Sequence, residues 1–275
     1  MRLQSIQVLR GIAAMMIFIF HLVVTLDRYS PADLRQWVSH LPLGVDLFFL
    51  ISGFVMAHSV RRLSGRQDAL NFMARRIWRI VPLLYVVTAA CIGLMLLRGQ
   101  AVEMARVVNS LAIFPVLPTI DRYPFALIPA WTLAYEMGFY LIVAVAVAFG
   151  WNRLALVALV LPFALALPLM AEFAIGVAVY ELWTRRPEVL AWDPAGPIGK
   201  AGLYLGTISY SLYLTHVVTF DAFAPLCLVL PLPIAALVLA ALGLAVAALV
   251  YRAVEAPLLA RSAETRPPVA HILPN

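Results

Sequence analysis

In a chain of 275 residues, 64% are hydrophobic and only 12% carry a charge, about half the charged share of soluble globular proteins. That much apolar surface exceeds what a core of this size can hide, so a water-soluble domain is excluded and lipid is the main solvent. The formal charge of +6 comes from 20 basic against 14 acidic residues, and every basic residue except Lys200 is an arginine. These arginines flank apolar runs and form no basic face, so nucleic acid is not expected as a partner. Cys91 and Cys227 have neither disulfide nor metal-ligand spacing, and no metal is expected.

The composition and the runs predict an all-α polytopic membrane protein with about eight transmembrane helices and a short re-entrant or surface helix. Arg2 and Arg10 precede the apolar run Gly11 to Leu26. With no small-x-small cleavage site after it, the segment reads as a retained first span over 6–26. Arg10 and His21 share one face of this helix, about 16 Å apart along the axis. Snorkelling by Arg10 and a bundle hydrogen bond from His21 would explain them; so would a functional site, because an ionisable group in hydrocarbon costs a few kcal/mol without a partner or a task.

The second span, 41–60, opens Gly44-Val-Asp-Leu-Phe-Phe-Leu-Ile-Ser-Gly53. Asp46 is expected at the depth of His21, where a carboxylate on one ring nitrogen would fix the tautomer and leave the other nitrogen as a base. Gly44 and Gly53 allow close helix approach. The third span, 77–97, has Arg75, Arg76 and Arg79 at its mouth. Positive-inside anchoring explains these arginines, and so does a grip on phosphates through paired N–H donors. With Arg61, Arg62 and Arg66 they predict a cytoplasmic loop, hence cytoplasmic N- and C-termini. The piece from Val107 to Pro118 is too short to cross and reads as the re-entrant or surface segment.

The fourth span, 130–150, carries Trp131 and Tyr135, ordinary interface aromatics, and Glu136, expected with Asp46 and His21 in an outer polar set. Pro162 and Pro168 divide the next run into two short tilted spans, 153–167 and 169–184. In the seventh span, 200–220, Ser209, Tyr213 and His216 form one stripe, suited either to interhelical hydrogen bonds or to catalysis. His216 is expected near the level of His21. The last span, 232–252, is followed by Glu255, a possible counter-ion for the arginine cluster, and by a Pro-rich tail over 263–275, expected to be disordered and cytoplasmic.

Together these segments resemble the membrane-bound acyltransferase-3 family, the bacterial integral-membrane O-acyltransferases. The resemblance rests on Arg10 with His21, Gly44-Val-Asp-Leu-Phe-Phe-Leu-Ile-Ser-Gly-Phe54, and Arg75-Arg-x-x-Arg-Ile-x-Pro82 with Tyr85. It continues in Trp131-Thr-Leu-x-x-Glu136 with Phe139-Tyr-Leu141, Phe173-x-x-Gly176, Ile208-Ser-Tyr-Ser-Leu-Tyr-Leu-x-His216 and Glu255-x-Pro257. These motifs follow one order over nearly the whole chain, although usual members carry one more hairpin between the Glu136 span and the Phe173 segment.

The resemblance implies one transmembrane acyltransferase domain over 1–262 in the bacterial inner membrane. It implies transfer of an acyl group, commonly acetyl, from cytoplasmic acyl-coenzyme A to a hydroxyl of a glycan, lipid-linked sugar or similar acceptor. His21 matches the family's essential histidine and Arg10 its partner. On the layout above, Arg10, Arg75, Arg76 and Arg79 would hold the donor, and His21 would act as base or acyl carrier, oriented by Asp46 or Glu136. Trp131, Ser209, Tyr213 and His216 would meet the acceptor or the oxyanion. Two other readings suit the residues: a permease with an intramembrane His/Asp/Glu relay, and an inactive homologue serving as a subunit of a glycan-assembly complex.

Overall fold

A computed structural model describes residues 4–117, 119, 124–186 and 196–264. Among them all regular structure is helical. The helices are α1 (Gln4–Asp27), α2 (Leu43–Ser59), α3 (Arg66–Leu97), α4 (Met104–Ala112), α5 (Ala130–Ala148), α6 (Arg153–Ala166), α7 (Met170–Trp183), α8 (Pro197–Thr207), α9 (Ser209–Phe223), α10 (Leu232–Val250) and α11 (Ala256–Glu264). A π-turn, Tyr251–Glu255, joins the last two. An apolar run in lipid can satisfy its backbone only by hydrogen-bonding within itself. Six of the helical stretches are long and apolar enough to cross a membrane, and the chain is an all-α polytopic membrane protein.

The helix ends depart from the expected spans in two instructive places. α3 starts at Arg66, after the positive-φ residue Gly65 (φ 91°), about three turns before the apolar run begins. Its 32 residues reach about 48 Å, well beyond a hydrocarbon core of about 30 Å. Arg75, Arg76 and Arg79 therefore lie along the wall of a continuous helix instead of at its mouth. The expected seventh span is broken at Ile208 into α8 and α9. Thr207 Oγ1 donates to the Leu203 carbonyl one turn back (2.8 Å), a bond that bends helices.

Elsewhere the elements fall where the apolar pattern put them. α6 and α7, each 14 residues, replace one long helix, separated beside Pro168; each reaches only about 21 Å. Asn152 caps α6 by accepting from the Ala155 amide (3.0 Å). The short piece after Glu103 forms α4 and a loop that do not cross. Buried Asn109 (0% exposed) organises that loop, accepting from the amides of Val116 and Leu117 and donating to the carbonyls of Leu117 and Pro124. Pro118 and residues 265–275, most of the expected tail, lie outside the described residues; residues 263 and 264 end α11.

Two apolar cores result, one around α2, α3, α5 and α7 and one around α1, α9 and α10. α2 runs between them. On one side a Cβ added at Gly44 would meet the Ala13 carbonyl and the side chains of Met16 and Ile17. On the other, a Cβ at Gly53 would strike the Phe173 carbonyl, and one at Gly176 the Leu50 carbonyl. Small residues let helix backbones touch where lipid supplies no hydrophobic drive. Gly53→Val is thus expected to cost about 3 kcal/mol through overpacking, read as a lower Tm in detergent. Gly93→Ala, where nothing lies within 4 Å of the added Cβ, should leave Tm unchanged or raised.

Candidate active site

A cavity of about 130 Å³ lies in the middle of the bundle, where α1, α2, α3, α5 and α9 meet. α1 supplies Arg10, α3 supplies Arg76 and Arg79, and α5 supplies Glu136. Glu136 accepts from Ser52 Oγ of α2 (3.3 Å) and from the Tyr140 hydroxyl one turn along α5. Arg76 lies over the rings of Phe72 and Tyr140, 5.3 and 5.4 Å from their centroids, a cation–π arrangement. Glu255, 3% exposed, accepts from Ser211 Oγ (2.5 Å) and lies within electrostatic reach of Arg79 and Arg10. The π-turn brings that carboxylate back to α9.

Charge around this cavity does not cancel. Three guanidinium groups, those of Arg10, Arg76 and Arg79, face two carboxylates, Glu136 and Glu255. Moreover, Arg76 Nε and Ser209 Oγ, both in the cavity wall, are buried with no hydrogen-bond partner among the described residues. Buried polar groups are nearly always bonded, so excess positive charge with idle donors describes a site suited to an anionic or carbonyl-bearing guest. Arg76 also borders a second pocket of about 370 Å³ with Arg75, Ser59, Leu63 and Phe72, so a row of guanidinium groups leads inward from exposed Arg75.

Toward the other end the cavity wall reaches Tyr213, Phe48 and Val45. The Tyr213 hydroxyl pairs with Thr132 Oγ1 (2.8 Å), and its ring stands 6.0 Å from that of His216. His216, 1% exposed, places Nε2 3.1 Å from Nδ1 of half-buried His21. His216 was expected near the level of His21, and the structure brings the two rings into contact. Trp131 packs edge-on against Tyr135 (5.9 Å) and does not line the cavity.

Two placements differ from expectation. Asp46 was expected beside His21. Because Gly44 packs on Ala13, Met16 and Ile17, α2 starts deep in the bundle and Asp46 sits about two turns below His21. Asp46 faces Glu172 of α7 instead. Glu136 was expected at the His21 level too. The segment before α5 plunges inward, with Phe125 4% and Leu127 0% exposed, so α5 begins well inside the bundle and delivers Glu136 to the arginines. A second imidazole, not a carboxylate, stands next to His21. Ser52, Tyr140, Tyr210 and Thr132 were missed as site residues; only Tyr140, at i+4 from Glu136, was signalled by spacing.

A family model described as an acyltransferase domain, acyltransferase 3, matches residues 3–186. The chain belongs to the acyltransferase-3 family. This acyltransferase-3 chain is 28% identical over 210 residues to the acyltransferase MdmB of Streptomyces mycarofaciens, covering 66% of this chain and 52% of that protein. It is 28% identical over 159 residues to the O-acetyltransferase OatA of Staphylococcus aureus strain NCTC 8325 (53% of this chain, 24% of OatA). Identity is also 28% over 165 residues to the exopolysaccharide production protein ExoZ of Rhizobium meliloti (52% of this chain, 51% of ExoZ). The matches thus span about half or less of these relatives' lengths, and no solved structure matches the chain. All four cavity charges on α1, α3 and α5 lie inside the family match.

Glu136→Ala removes the carboxylate that Ser52 and Tyr140 hold among three guanidinium groups. It is expected to cost about 2 kcal/mol, the worth of hydrogen bonds to a charged group, measured as a fall in Tm of the purified protein.

Proposed function

We propose that this protein is an O-acyltransferase of the bacterial inner membrane that moves an acyl group, acetyl in the simplest case, from acyl-coenzyme A to a hydroxyl of a glycan or lipid-linked sugar. The observation that carries the proposal is a cavity with excess guanidinium charge, joined through Tyr213 to a histidine pair. The arginines suit the donor's phosphates, since guanidinium forks match phosphate oxygens. Relatives named as an acyltransferase, an O-acetyltransferase and an exopolysaccharide production protein support the reaction and the acceptor class. In this reading the arginine end faces the cytoplasm and the histidine end the opposite side.

The chemistry then follows from the two ends. Exposed Arg75 meets the incoming donor, and Arg76, Arg79 and Arg10 draw its anionic part inward. The pantetheine arm spans the distance along α1, about 16 Å, and presents the thioester near Tyr213. His21 takes the acceptor's hydroxyl proton while the hydroxyl oxygen attacks the acyl carbon. The tetrahedral intermediate expels the coenzyme's sulfur, the C–S bond breaks, and His21 returns the proton to the departing thiolate. In this reading the Tyr213 hydroxyl, paired with Thr132 Oγ1 at rest, turns to the oxyanion, and Ser209 Oγ, one turn nearer the arginines and without a partner among the described residues, meets a carbonyl of the pantetheine arm. Glu136 and Glu255 limit repulsion among the arginines, and Asp46 has no part in moving the proton.

Two measurements test this. His21→Ala is expected to abolish acetylated product, followed by mass spectrometry of surface glycans, while the protein stays in the membrane; retained product would remove His21 from the reaction. Acetyl-coenzyme A at a hundredfold excess over Kd is expected to stabilise the purified protein by about 2.7 kcal/mol. Arg79→Ala should abolish that shift, and a permease for an unrelated solute would show none in the parent protein.

A further inference from the structure

The contacts of His216 carry information beyond its nearness to His21. Its Nδ1 lies 2.9 Å from the Leu212 carbonyl. A carbonyl only accepts, so Nδ1 bears the hydrogen and donates. In a neutral imidazole the other nitrogen, Nε2, is then an acceptor. That Nε2 faces His21 Nδ1 at 3.1 Å, and the same Nδ1 lies 3.1 Å from the Ile17 carbonyl. Both neighbours of His21 Nδ1 are acceptors, so His21 carries its hydrogen on Nδ1 and its Nε2 is bare. The opposite arrangement would need His216 doubly protonated. His216 is 1% exposed, its ring neighbours are Phe18, Tyr213, Phe220 and His21, and a buried cation without a carboxylate is costly.

We propose that His216 is a positioning residue that sets the tautomer of His21, leaving His21 Nε2 as the proton acceptor and holding the imidazolium that forms there. The proposal rests on the reading of His21 as the base. It replaces the expected roles of Asp46 and Glu136 as orienters, and of His216 as oxyanion donor, with a neutral pair. When Nε2 takes the acceptor's proton, the Nδ1–H bond to His216 and the Ile17 carbonyl becomes charge-assisted and strengthens. When the thiolate leaves, Nε2 returns that proton and the pair is neutral again. A neutral partner suits this depth, because a carboxylate would itself need desolvation in the apolar bundle.

The test separates the tautomer from the reaction. Nitrogen NMR of the protein with isotope-labelled histidine, with His21 assigned by difference against His21→Gln, is expected to show a protonated Nδ1 and a bare Nε2. His216→Leu keeps an apolar body among Phe18 and Phe220 but accepts no hydrogen bond. With the Ile17 carbonyl alone left to accept from Nδ1, it is expected to admit a detectable share of the Nε2–H tautomer, to hold the imidazolium less well and so to lower kcat at least about 100-fold, with KM for the donor unchanged. His216→Gln returns an acceptor near the lost Nε2 and should recover both the Nδ1–H signature and most of kcat. A parent spectrum with the hydrogen on Nε2, or equal activity of the Leu and Gln variants, overturns the proposal. Activity persisting in His21→Ala overturns the reading beneath it and leaves the spectrum as a separate result.

Discussion

Much of this bundle's inner architecture follows from holding three guanidinium groups inside a protein whose solvent is lipid. Arg10 comes from α1, Arg76 and Arg79 from α3, and neither helix carries an acidic residue close enough in sequence to neutralise its own arginines. An uncompensated charge at this depth is expensive, so neutralisation has to come from other elements. α5 brings Glu136 with Tyr140, α2 brings Ser52, and the π-turn after α10 brings Glu255 through Ser211 of α9. Six separate pieces of chain are thereby tied to one electrostatic centre. The remaining positive excess distinguishes the cavity from a balanced structural ion-pair network, and it is the feature on which the proposed donor site rests.

The second organising constraint is axial offset. A bundle of helices that all began at the membrane surface would align polar residues by their distance from each helix start. Here α2 and α5 begin against buried parts of the bundle, the first because Gly44 closes on the backbone of α1, the second because buried Phe125, Leu127 and Ala130 lead into it. The offset moves Glu136 away from the histidines and toward the arginines. Among the described residues it leaves the histidine pair in the company of each other, backbone carbonyls and aromatic rings. The site is accordingly split into a charged end and a neutral end, a division that suits the proposed donor, whose phosphates and thioester have opposite needs.

Much of this was legible in the residues. The all-helical architecture, the division at Pro168, the common level of His21 and His216, and Arg76 and Arg79 of the cluster at Arg10 all follow from apolar runs and helical spacing; that the two imidazoles touch does not. Depth was not legible for Asp46 and Glu136, because it was counted from the start of each apolar run, and apolar composition does not reveal where a helix begins when a buried loop is apolar too. Phe125 and Leu127 look the same to a hydropathy count whether they are helical or not. Nor could hydropathy foresee that α3 would extend over Arg66 to Arg76, since helix propensity of the arginine-rich stretch, not its polarity, decides that end.

Asn109 gives the loop ahead of α5 a particular standing. A single side chain binds the backbone on both flanks of this segment, at Val116 and Leu117 before it and at Pro124 after it. Ser110 adds a bond to the Ala126 amide. Two neighbouring side chains of α4 thus act as the anchor from which α5 is hung, since they fix where the chain lies at Pro124 and Ala126, a few residues before Ala130. The register of Glu136 against the arginines is set partly by an amide and a hydroxyl that belong to a different helix and carry no charge themselves.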